Sequence, residues 1–224
     1  MNKKNFMSEY ALCTICDKVS PNFFTCPICG SESPPNSFPR QETVILKGLV
    51  KEYLDDIENC TVDLSEQDLI EAKVKVSIIL ICTVGEALLD EAIDNRLYRK
   101  INERSEYKRK LIMKKMRKMG REEKINLLSD LIGCKFSKFV KDTRNQNIRK
   151  IAKYWKEISE YRNKISHGNF IKEQLSHDPK IVNKIRYLNE NFFETFMLLH
   201  NKYIASSNET QDINSKQKSE KKKD

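Results

Sequence analysis

The chain has 224 residues, 41 Lys+Arg against 32 Asp+Glu, and a formal charge of +9. At 39% hydrophobic and 33% charged, it can build one compact domain with appendages but is short for two full-size domains. Six Gly and six Pro argue against a turn-rich β fold, and the longest uncharged apolar run, Val76 to Gly85, is too short for a bilayer.

Met1 to Ser8 lacks a signal-peptide core. A soluble, cytoplasmic protein with no membrane partner is therefore expected. The charge is local: between Arg96 and Lys124 stand 13 Lys+Arg and 4 Asp+Glu, an excess equal to that of the whole chain. The basic character belongs to one segment, where an anionic partner would bind.

In chain order, the first feature is a pair of C-x-x-C motifs, Cys13-Thr-Ile-Cys16 and Cys26-Pro-Ile-Cys29. Each forms a knuckle that brings two thiolates to one ion. Two knuckles close a four-thiolate tetrahedron, which suits structural Zn²⁺. Rubredoxin-like iron is the chemical rival. Four cysteines leave no open coordination position, so the site is read as structural. The segment resembles a small zinc ribbon, and its docking partner is open: nucleic acid, protein, or the chain's own helices. Gly30 to Ser37 reads as a linker by composition, so residues 1–38 are expected to form ribbon and linker.

From residue 39 the apolar spacing is helical. Leu46, Leu49, Val50, Tyr53 and Ile57 place a helix over about 39–59. Ser65 is a candidate N-cap for the next, which is apolar all round from Val76 to Val84 and is expected to be central and buried. Past Leu88 it turns basic. Gly120 separates a helix that stops at Gly133, and Ile148, Ile151, Trp155, Ile158 and Ile165 mark another, closed by Gly168. Asp178-Pro179 reads as an N-cap with proline at the first helical position. Ile181 to Tyr203 supplies the last apolar face. The expected fold is mainly α, an antiparallel helical bundle over 39–205. A polar, disordered tail is expected over 206–224.

Arg162-Asn163-Lys-Ile-Ser-His167 ends the penultimate long helix. Cations favour helix C-termini, so a capping role is one reading. Asn163 and His167, four apart, share a face with Arg162 beside them, and Asn is a poor mid-helix residue. The motif and its setting resemble the HEPN superfamily. That resemblance implies a metal-independent endoribonuclease, in a prokaryotic toxin or antiviral defence role. An imidazole exchanges protons near neutral pH, so His167 would act on the ribose 2′-OH or the leaving 5′-oxygen. Arg162 would hold the phosphate oxygens and Asn163 would orient phosphate or imidazole, leaving a 2′,3′-cyclic phosphate. Glu86 of the second long helix is the candidate residue facing the motif. The family also implies a homodimer, with motif helices lining one cleft, and an antitoxin or regulatory protein as further partner. Catalysis needs no cofactor in this reading. The alternative is a non-catalytic RNA-binding or assembly adaptor.

The basic segment offers Arg99, Lys100, Lys108, Arg109, Lys110, Lys114 and Lys115 as RNA-phosphate contacts. The plainer reading is a solvated helix face whose Met and Leu stripe packs on the bundle. If RNA is the substrate, this segment is expected to border the motif cleft. His177 and His200 read as structural or surface residues, Trp155 as core, and Cys60, Cys82 and Cys134 as ordinary thiols.

Overall fold

The computed structural model describes residues 8–59, 67–100, 106–142, 146–167, 175 and 178–205. Ser65, Cys60, Gly168, His177 and the tail 206–224, all given readings from sequence, lie outside the described residues.

Among the described residues the fold is mostly helical, with one small sheet. Strand β1 (Tyr10–Leu12) lies between β2 (Val19–Pro21) and β3 (Asn36–Phe38), antiparallel to both. Tyr10 stands opposite Pro21 and Phe38. β3 falls at the end of the stretch whose composition reads as linker. The prolines at 34 and 35 precede it, and it is a short edge strand, where few ladder bonds are needed. Phe38 is buried and anchors it.

Seven α-helices follow: α1 (Gln41–Asn59), α2 (Gln67–Lys100), α3 (Glu106–Met116), α4 (Arg121–Ile132), α5 (Phe136–Asp142), α6 (Gln146–Ser166) and α7 (Pro179–Leu199). A π-helical turn, His200–Ile204, continues α7. Two helix starts follow the local rules. Glu123 reaches back to the Gly120 N–H at 2.7 Å, and the Asp178 carboxylate accepts from Lys180 N–H at 2.9 Å with Pro179 at the first turn. α5 carries too few residues to show a period and was not legible in the sequence.

α1, α2, α6 and α7 form the bundle, and their side-chain pairs give its directions. Lys73 meets Asp56 at 3.1 Å while the Arg40 N–H meets Glu91 at 3.1 Å, so α1 and α2 run antiparallel. Tyr187 bonds Asn147 at 2.9 Å and Lys184 bonds Glu157 at 2.8 Å, so α6 and α7 do too. α2 is the central helix, touching α1, α3, α4, α6 and α7. Ile78, Ile81, Leu88, Leu89 and Ile93 of α2 meet Ile158, Phe192 and Phe196 in one continuous core.

One expectation for α2 needs correction. It is not buried all round between Val76 and Val84: Val76 is 37% and Ile79 40% exposed, with Leu69 and Thr83 also outward. The other three bundle helices cover only the opposite side. The apolar residues on the outer side therefore keep contact with water.

The ribbon docks on its own bundle. The Asn201 side chain accepts from the Val19 N–H at 2.7 Å and donates to the Val19 carbonyl at 2.6 Å, closing the edge of β2 as another strand would. His200 Nε2 donates to the Asp17 carbonyl at 3.0 Å, and its ring meets the Phe38 ring edge-on at 5.5 Å. His200 is thus a buried structural residue. Val19 and Phe38 join the main core.

Candidate functional site

The four cysteines of the ribbon converge. Cys13 Sγ lies 3.8 Å from Cys29 Sγ, Cys16 Sγ lies 3.8 Å from Cys26 Sγ, and all four sulfurs fall within 4.8 Å of one another. A tetrahedron with metal–sulfur bonds of about 2.3 Å has edges of about 3.8 Å. A disulfide needs about 2.05 Å, so these thiols are placed for an ion and not for each other.

The two knuckles repeat one backbone pattern. Asp17 N–H donates to the Cys13 carbonyl at 3.0 Å, and Gly30 N–H to the Cys26 carbonyl at 2.9 Å. Cys13 N–H then bonds Lys18 O, and Cys26 N–H bonds Ser31 O. Asp17 and Gly30, each directly after a second cysteine, carry positive φ of 57° and 73°. Glycine adopts this freely; aspartate tolerates it through its short polar side chain. Burial pushes the Cys16 thiol up to about 12. Burial acts the same way on Cys26, but the backbone N–H groups of Cys29 and Ile28 outweigh it and bring it to about 7. Four such sulfurs are compatible as thiolates only around a cation.

The second site lies where α6 crosses α2. A Cβ on Gly85 would come within 2.7 Å of the Trp155 ring, so only glycine permits this approach. Cys82 Sγ lies 3.8 Å from Ser159 Oγ, so the pairings of Gly85 with Trp155 and of Cys82 with Ser159 run in opposite senses and the helices are antiparallel. One turn further along α6, Arg162 Nη2 meets Glu86 Oε1 at 2.6 Å. Both side chains of this pair are about 30% exposed. Asn163 and His167 are exposed beyond it, joined by the bond from His167 N–H to the Asn163 carbonyl at 3.1 Å.

Arg121, at the start of α4, closes the other side. Its Nη1 donates to Ser159 Oγ at 2.7 Å and to the Trp155 carbonyl at 3.2 Å, and the guanidinium lies over the Trp155 ring at 5.7 Å. Arg121 belongs to the basic segment but has no local signature that marks it in the sequence; only the fold brings it to α6. Cys82, enclosed by this group, is pushed up to about 11 by burial, which outweighs the Ser159 hydrogen bond and the pull of Arg162. Burial thereby favours its neutral thiol form.

The basic segment divides. Arg121 reaches Ser159 of α6 and Lys124 reaches Asp90 of α2 at 2.8 Å. α3 is anchored further along α2, where Arg109 Nε meets Asp94 Oδ1 at 2.8 Å. Asp94 stands eight residues past Glu86 on α2, about 12 Å along the helix axis. Arg109 is committed internally: its ring partner is Tyr98 at 5.2 Å, and the Asp94 hydrogen bond holds its pKa above the usual arginine range. Lys110 pairs with Glu106 at 3.0 Å. Lys108, Lys114 and Lys115 are exposed, while Met116 is buried and Ile112 and Met113 pack on the core. The side chains of Arg99 and Lys100 lie outside what is described.

No described helix is long and apolar enough to cross a membrane. Comparison of the chain with protein-family models, with curated proteins and with solved structures finds no match.

Proposed function

We propose that this chain is a HEPN-type endoribonuclease that acts as a homodimer, with its four-cysteine ribbon holding a structural zinc ion. The observation that carries the reading is the Arg162–Glu86 pair at 2.6 Å beside the exposed Asn163 and His167. Glu86 aligns a guanidinium that keeps solvent access, and a phosphate competes for it.

In this reading an imidazole takes the proton of a ribose 2′-OH, and the alkoxide attacks the adjacent phosphorus. The bond to the 5′-oxygen breaks, and that oxygen receives a proton. The products are a 2′,3′-cyclic phosphate and a 5′-OH. Arg162 stabilises the charge that builds on the non-bridging oxygens. One histidine does not serve at both oxygens at once, so His167 of a second copy supplies the other step. The outward residues Leu69, Val76 and Ile79 support such pairing. They recur at seven and three along α2, the spacing of a two-helix seam. A toxin or antiviral setting belongs to the same proposal.

The ribbon stays structural: soft thiolates suit zinc, and with four of them no coordination position is left for substrate. The test is cutting of single-stranded RNA by purified protein in EDTA, with the ends analysed for cyclic phosphate. Arg162→Ala and His167→Ala each lower the rate at least 100-fold, as loss of a general acid–base group does, with the helical spectrum retained. Undiminished cutting by both variants overturns the proposal.

The exposed Lys108, Lys114 and Lys115 of α3 favour a second reading, a non-catalytic RNA-binding adaptor. It expects RNA to bind through Lys108, Lys114 and Lys115 and never to be cut.

A further inference from the structure

A cavity of about 650 Å³ opens between α4, α5 and α6, within the size range of small-molecule sites. Ile125, Phe136, Val140, Ala152 and Trp155 give it an apolar wall. Arg121, Lys135, Lys141 and Lys156 stand around it with Glu122 and Asp130, so cations exceed acids by two. Arg121 and Glu122 satisfy each other at 2.6 Å. Lys135, Lys141 and Lys156 make no ion pair with any described residue. Three unpaired ammonium groups around an apolar wall form two complementary halves of a recognition site.

We propose that this cavity binds a small amphipathic anion. A flat apolar body fills the space against Phe136 and Trp155, and an acidic head group meets the lysines. A neutral apolar molecule would leave the lysines unused. A cation would be repelled, and a simple inorganic anion would gain nothing from the apolar wall.

The site reports to the motif through two residues that belong to both. Arg121 lines the cavity and holds Ser159 on α6. Trp155 lines the cavity and presses on Gly85, next to Glu86. An occupant therefore shifts the groups that position Arg162. This regulatory part rests on the nuclease reading; the binding itself does not.

The test uses the full chain and 8-anilinonaphthalene-1-sulfonate, an aromatic anion, read by energy transfer from Trp155, the single tryptophan. Saturable binding is expected. Ala152→Phe, which fills the cavity, and the pair Lys135→Glu with Lys156→Glu, on exposed positions that leave the fold intact, each weaken it at least tenfold. Displacement by AMP identifies a phosphate head group, and displacement by indole-3-acetate a carboxylate. Full-strength binding in both variants, or a probe that neither anion displaces, overturns the proposal. Because the readout is fluorescence and not cutting, its failure is distinct from failure of the nuclease reading.

Discussion

Glu86 and Asp94 stand on one helix, and each holds an arginine at 2.6 Å, yet their surroundings differ. Asp94 is 8% exposed and binds two arginines, Arg40 and Arg109. Beside it the buried Glu91 accepts the Arg40 N–H, and Asp90 meets Lys124 at 2.8 Å. These contacts tie Arg40 before α1, Arg109 of α3 and Lys124 of α4 to α2 between Asp90 and Asp94. Glu86 binds one arginine near solvent, and that arginine's helix is already held by Trp155 and Ser159. The same chemical pair is thus a joint at Asp94 and an accessible, exchangeable contact two turns earlier at Glu86. The burial of the carboxylate and the number of its partners make the difference: Asp94 is shielded and shared by two arginines, whereas Glu86 meets water and one.

The largest way to break the comparison is Asp94→Ala. It removes the buried carboxylate that accepts charge-assisted hydrogen bonds from both Arg40 and Arg109, and is expected to cost about 3 kcal/mol in urea denaturation. A loss below 1 kcal/mol would remove the distinction between the two sites.

Gly85→Ala acts at the contact of α2 with α6, through packing. Its methyl would meet the Trp155 ring, which Phe192 and Phe196 hold from behind at 5.2 and 6.4 Å. An overpacking cost of about 2 kcal/mol is expected, read as a lower Tm. Cutting should fall with it if the crossing of α2 and α6 aligns Arg162.

Acid titration separates two groups at the Asp94 site. Burial pushes the Glu91 carboxyl above its ordinary 4.5, so its neutral form fits the fold better. Acidification from neutral pH through its raised value therefore adds stability. At Asp94 burial also acts upward, but the hydrogen bonds from Arg109 and Arg40 outweigh it and hold the carboxyl below 3.8. Its contribution is complete above pH 3.8 and is lost as pH falls through the lowered value. The stability gap between wild type and Asp94→Asn should accordingly stay constant above pH 5 and close below pH 3.8. Urea midpoints across that range check it.

The smallest effect sharpens the contrast most. A double-mutant cycle of Glu86→Ala and Arg162→Ala is expected to give a coupling of about 0.5 kcal/mol in stability, although Arg162→Ala removes cutting. A coupling as large as the Asp94 loss would make Arg162 a structural residue.

Much of the architecture was legible because it depends on neighbours in sequence. Helix starts at Gly120 and Asp178 rest on groups two or three residues away. The C-x-x-C knuckles are built from five-residue turns, so their spacing alone announces a four-sulfur cluster. β3, α5 and the π-helical turn were not legible, since each is short and held by distant contacts: Phe38 against His200, and Phe139 against Tyr203 at 5.8 Å. Arg162, Asn163 and His167 stood out as a motif, and Glu86 as its candidate partner. Arg121 did not, because an arginine that opens a basic helix looks like its neighbours.

By itself, then, the sequence determined which segments become helices, that four thiols gather at one point, and which residues share the end of α6. These follow from backbone hydrogen bonding and periodic burial, which act over a few residues. Only the tertiary structure decided that the ribbon docks on its own bundle, that the outer side of α2 stays open, and where the charge lies. The +9 of Arg96–Lys124 suggested one basic border to the motif. The fold instead divides the segment: Arg109 of α3 is held at Asp94, Lys124 at Asp90 and Arg121 at Ser159 of α6, contacts between residues far apart in sequence that no local pattern announces.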